Sequence, residues 1–149
     1  MKKIKNISTL ICIIMLSICF IYLALIYRSL PNMLPSHFDF MGNPSSYEDK
    51  ISVFTLPLIG ILVLVIFEAV SHFPSLWNYP VKVTEENRAF LYNITMMMLS
   101  IIKVLVTILL IYVSLCTIYS FLPLALIYVV IVLMLIVTFG SIYIMLKGR

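Results

Sequence analysis

The sequence predicts an all-α, polytopic membrane protein with four transmembrane helices, both ends in the cytoplasm and one structured outer loop. Three observations lead there. Hydrophobic residues make up 63% of the chain and charged residues only 11%, against about 45–50% and about 25% in a soluble domain. The apolar residues gather into four runs of roughly 20–26 residues, and about 20 helical residues cross a hydrocarbon core of about 30 Å. The runs do not alternate in polarity, which removes a β-barrel; helices then satisfy the backbone in lipid. The 149 residues form a single membrane domain.

The first run is Ile7–Tyr27, behind a basic start with Lys2, Lys3 and Lys5. It is longer than the apolar core of a cleaved signal and no A-x-A site follows, so a retained anchor is expected. Leu16-Ser17-Ile18-Cys19 faintly resembles a lipoprotein cleavage box, but Ile18 is too bulky before the cysteine. The second run, Ile51–Val70, is interrupted by Glu68. The third, about Ile94–Tyr119, carries Lys103. The fourth, about Leu122–Leu146, is uncharged. A short turn near Ser120–Pro123 makes the last two an antiparallel hairpin.

Lysine and arginine set the orientation. Lys2, Lys3, Lys5, Lys82, Arg88, Lys147 and Arg149 fall on one side, against Arg28 and Lys50 on the other. The richer side is expected in the cytoplasm, leaving residues 28–50 outside and 71–93 inside. The formal net charge of +4 therefore belongs to helix ends. No basic patch is interleaved with aromatics, so nucleic acid is not an expected partner; the bilayer is. Cys12, Cys19 and Cys116 lie in apolar runs without metal-type spacing, so neither a disulfide framework nor a structural metal is expected.

In the outer loop, Pro31 and Pro35 end the first helix and hold the chain extended. Met41-Gly42-Asn43-Pro44 signals a turn, with Gly42 free to take positive φ. In an extended His37-Phe38-Asp39-Phe40, His37 and Asp39 share one face and the two phenylalanines the other. The aromatics would then lie on the bundle. His37 and Asp39, with Glu48 or Asp49, are ligand candidates; the plainer reading is that Asp39 caps a turn and His37 bonds locally. Asp49 suits a helix N-cap, and Lys50 snorkels at the interface. In the inner loop, Trp77 and Tyr79 suit the headgroup layer. Thr84, followed by Glu85 and Glu86, places the start of the third helix near Thr84.

Glu68 and Lys103 are the ionisable groups inside the runs, and such groups are functional candidates. Their helices are antiparallel neighbours, so the lysine stem brings them within pairing reach. The alternative is that Glu68 sits among headgroups while Lys103 snorkels. Gly60 stands alone in its run, with no G-x-x-x-G motif.

The outer pattern Leu30-Pro31-x-x-Leu34-Pro35-x-His37-Phe38-Asp39-x-x-Gly42-x-Pro44, and the inner pattern Asn78-Tyr79-Pro80-Val81 with Thr84-Glu85-Glu86-Asn87, resemble domain of unknown function 1648. The resemblance runs from about Arg28 to Tyr119. This chain departs from the pattern at Ser45, where the family often has Asp, and at Tyr47-Glu48, where it often has Trp-Gly. The domain forms the N-terminal part of SdpI-type immunity proteins, which carry further helices that these 149 residues do not hold.

The resemblance implies a non-enzymatic protein of the bacterial cytoplasmic membrane, without a cofactor, that guards against a membrane-active peptide toxin. His37, Phe38, Asp39, Gly42 and Pro44 would shape its ligand surface, and Asn78, Tyr79 and Pro80 its inner motif. The alternative is a small transport or sensing subunit that uses Glu68 and Lys103 and has a membrane partner protein. A metalloenzyme on His37 and Asp39 needs further ligands, and His72 lies on the other side in this topology.

Overall fold

In the computed structural model, residues 2–39, 41–119, 123 and 125–148 are described. The fold is mostly helical, with four helices long and apolar enough to cross a membrane. They are α1 (Lys2–Ile26), α2 (Thr55–His72), α3 (Arg88–Cys116) and α4 (Ala125–Lys147). The expected turn near Ser120–Pro123 lies outside the described residues except for Pro123, as does Phe40.

The boundaries differ from the apolar runs for local reasons. Helix α1 takes in the basic start, because its first turns pack on the other helices. Residues Lys50–Phe54 form a 3-10 turn, with the Asp49 carboxylate accepting from the Ile51 amide at 2.9 Å, so α2 begins only at Thr55. Helix α3 begins at Arg88, ahead of the apolar run. Its start is held by a reciprocal cap: the Thr84 hydroxyl accepts from the Asn87 amide at 3.3 Å, and Asn87 Oδ1 accepts from the Thr84 amide at 2.9 Å.

Helix α3 packs on α1, α2 and α4. The buried seam of α1 is Lys5, Ser8, Cys12, Leu16, Cys19 and Leu23, a spacing of threes and fours that keeps one stripe facing a neighbour. The buried face of α3 includes Thr95, Ser100, Lys103, Thr107 and Ser114. Small polar residues let helices approach closely where lipid supplies no hydrophobic drive. Ser100 and Thr107 donate to carbonyls one turn back at 2.7 and 3.0 Å, and Ser114 donates to the Val53 carbonyl at 3.1 Å. Gly60 serves the same closeness: a Cβ there would lie 2.9 Å from Leu16 Cδ2. Helix α4 is the outlier, packing on α3 and turning most of its apolar surface outward.

The connection between α1 and α2 contains strands, which the all-α reading did not anticipate. Strands β1 (Met33–Phe38) and β2 (Pro44–Asp49) pair antiparallel, from Met33 opposite Asp49 to Phe38 opposite Pro44, with irregularities on either side of His37. Gly42 closes the turn at φ 88°, a conformation that favours glycine. An isolated two-stranded hairpin is marginal in water. This one is pinned by Leu34, which is 3% exposed and joins Cys19, Leu23 and Val53 in an apolar cluster. Leu34 is an anchor beyond the phenylalanines, of which Phe38 is half-buried.

The bundle thus has a hairpin end and a terminal end. At the terminal end the start of α1 meets the end of α2, and Gly148 lies against Phe90.

Candidate functional site

At the terminal end the structure brings together Lys5 of α1, Glu68 and His72 of α2, and Lys103 of α3. Lys103 Nζ lies 2.7 Å from Glu68 Oε1, and Lys5 Nζ lies 3.1 Å from Glu68 Oε2. One carboxylate therefore bridges two ammonium groups from two other helices. The Lys103 side chain is 2% exposed, Lys5 11% and Glu68 25%. Thr9 completes the inner shell. Its hydroxyl accepts from Lys103 at 2.7 Å, and its one proton is shared between Glu68 Oε1 at 2.5 Å and the Lys5 carbonyl at 2.9 Å.

His72 Nδ1 lies 2.7 Å from the Glu68 carbonyl and 3.1 Å from Lys5 Nζ. A carbonyl only accepts, so this network assigns the proton to Nδ1. Its Nε2 lies 3.5 Å from Lys5 Nζ. The pairing of Glu68 with Lys103 follows from two antiparallel helices each carrying one charge. Lys5 escaped the sequence reading because it was counted as a flanking, orienting charge. Its place on the three-and-four spacing of the α1 seam was the signal.

The hairpin end places the outer-loop residues differently from one another. The Asp39 carboxylate is engaged in its own turn: Oδ1 accepts from the Met41 and Asn43 amides, each at 2.8 Å, and Oδ2 from Asn43 Nδ2 at 3.1 Å. The Asn43 amide and side chain, with Met41 and Gly42 helping, hold this carboxyl below its ordinary range. His37 is exposed, with Nδ1 2.9 Å from Ser46 Oγ. Ser36 and Ser46 share a hydrogen bond at 2.7 Å. Gly42 and Pro44 shape the turn and the first pair of β2. Among the described residues no three metal-ligating side chains gather.

A groove of about 390 Å³ opens between the hairpin and the ends of α2, α3 and α4. His37, Phe38 and Asp39 form its roof, with Leu56, Val113 and Ile127 among its apolar walls. Phe38, half-buried, is the apolar residue that the hairpin contributes to this lining among the described residues.

In the inner loop, Trp77 stacks on Tyr92 at 5.6 Å and meets Tyr79 edge-on at 6.4 Å. The Trp77 indole donates to the Val70 carbonyl at 2.8 Å, fixing the ring to the end of α2. Burial raises the Tyr79 phenol above its ordinary value, keeping it protonated. Asn78 and Pro80, on either side of Tyr79, are exposed.

A helical bundle crossing the membrane in four passes, with an extramembrane hairpin docked on one end, is the class of protein this geometry defines. Residues 13–61 match the family model for domain of unknown function 1648. That stretch is about a third of the chain and runs from α1 through the hairpin into α2. The match covers the outer pattern and begins ahead of it, within α1; it ends before Glu68 and before the pattern Asn78-Tyr79-Pro80. No curated protein and no solved structure matches the chain.

Proposed function

We propose that this is a non-enzymatic protein of the bacterial cytoplasmic membrane, with both ends inside, that binds a membrane-active peptide beneath its outer hairpin. The role would be the protective one of SdpI-type immunity proteins. The observation that carries this reading is the groove under His37, Phe38 and Asp39. It has polar groups on its roof and apolar walls from three helices. An amphipathic peptide at the outer interface presents the matching pair of faces. The match to residues 13–61 supports it by covering the hairpin and its anchor Leu34.

Asp39 is a poor probe of this function, since removing it undoes the turn. Filling the groove is cleaner. A sensitive bacterium expressing the protein should survive a challenge with membrane-active peptides, and Ile127→Trp should lose that survival at equal protein level. Survival unchanged in the filled variant, or absent with the unmodified protein across the peptide panel, overturns the reading.

A second reading rests on the buried cluster: a transport or sensing subunit in which Lys5, Glu68 and Lys103 carry the coupling. Intramembrane ionisable groups usually mark function. Glu68→Leu with Lys103→Leu removes the carboxylate and its most enclosed partner, leaving Lys5 alone at the start of α1. A folded double variant with full activity would dispose of this reading.

A further inference from the structure

A cavity of about 790 Å³ lies at the terminal end, between the loop that follows α2 and the first turns of α3. That size falls within the about 300–1,000 Å³ of small-ligand sites. Three aromatic rings line it: Trp77, Tyr79 and Tyr92. Two charged residues line it as well, Arg88 at the first position of α3 and Glu85 three residues ahead of it. Both are exposed, and neither forms an ion pair among the described residues. The cavity thus combines an available anion, an available cation and aromatic faces.

Its depth narrows the choice of ligand. One wall begins where α2 ends and the other where α3 begins, at the edge of both spans. Trp and Tyr collect at that level, where lipid headgroups lie. A ligand suited to the cavity carries a phosphate for Arg88 and an ammonium for Glu85 and the rings. An anion alone leaves Glu85 opposed; a cation alone leaves Arg88 opposed.

We propose that this cavity binds the headgroup of a zwitterionic phospholipid, with the phosphate on Arg88 and the ammonium on Glu85 among Trp77, Tyr79 and Tyr92. The site is independent of the peptide groove at the opposite end of the bundle. It gives the inner-loop aromatics a use beyond anchoring.

The test is lipid retention by native mass spectrometry on the full-length protein. The protein is taken from micelles doped equally with phosphatidylethanolamine and phosphatidylglycerol, with free phosphoethanolamine as a separate arm. Phosphatidylethanolamine should be retained preferentially. Arg88→Gln and Glu85→Gln should each reduce that retention roughly tenfold, the loss of one charge-assisted contact. Both changes are on exposed side chains that take no part in the hydrogen bonds between Thr84 and Asn87, so folding is preserved, and helical circular dichroism checks it. Equal or stronger retention of phosphatidylglycerol overturns the proposal. So does retention unaffected by Glu85→Gln, or free phosphoethanolamine binding as well as the lipid.

Discussion

The two ends of the bundle solve the same problem, holding α1, α2 and α3 together, by opposite means. The terminal end uses charge: Glu68 bridges Lys5 and Lys103 at 3.1 and 2.7 Å. The hairpin end uses apolar contact: Cys19, Leu23, Leu34 and Val53, ringed by Tyr22, Ile26, Phe54 and Ile111. A buried ion pair is all or nothing, because removing one member strands the other in a low-dielectric interior. An apolar cluster fails gradually, in proportion to the volume removed. Perturbation at the terminal end should therefore be felt throughout the bundle, and perturbation at the hairpin end should stay local.

The largest expected effect is Glu68→Leu, which leaves Lys103 almost fully enclosed without a counter-charge. It should cost about 3–5 kcal/mol. Adding Lys103→Leu should recover part of that loss, the remainder belonging to Lys5, which still lacks its counter-charge, with thermal unfolding in detergent as the readout. If the double variant is no more stable than the single one, the pair is not the organising contact. Next comes Leu34→Ala, at about 2–5 kcal/mol for a buried leucine. Hydrogen exchange should accelerate across residues 33–49 and leave the amides of α3 protected; loss of protection in both would erase the distinction between ends. Thr84→Ala should cost about 0.5–2 kcal/mol by removing one half of the reciprocal cap. Faster exchange confined to the first turn of α3 is its signature.

The smallest effect concerns pH at the hairpin. Asp39 is held below the ordinary carboxyl range by the Asn43 amide first and the Asn43 side chain second. A lowered folded value means that the turn is favoured above the ordinary carboxyl pKa. That contribution is lost as pH falls through the folded value. The Asp39 carboxyl carbon should thus titrate below the usual value of 3.8, and Asn43→Ala should move the midpoint upward. A midpoint at the usual value would detach the carboxylate from the turn.

Most of the architecture could be read from residue order alone. Four apolar runs and their loop signals gave four helices, because lipid leaves the backbone few options. Glu68 and Lys103 stood out against an apolar background, and their helices had to be adjacent. Three things were hidden. The hairpin was, because Pro35 and Pro44 sit within its strands and alternation is broken by irregular pairing around His37. Leu34 as the anchor was, because a leucine between two prolines reads as loop until the bundle is present. Lys5 was, because a lysine at a membrane end usually orients the chain and here also closes the bundle. The Asp39 carboxylate is engaged by the turn, accepting from backbone amides two and four residues on, as a short carboxylate in a turn commonly does.

The central place of α3 has a consequence for how the chain is made. Helices α1 and α2 leave the ribosome before α3, so the Glu68 carboxylate enters the bilayer with Lys5 as its companion and Lys103 still to come. Biogenesis should therefore have a vulnerable interval that closes with the arrival of the third span. A released chain truncated after residue 87 should be degraded by membrane proteases faster than one truncated after residue 119, and Glu68→Leu should narrow that difference. The ion bridge would then be complete only once the third span is in place.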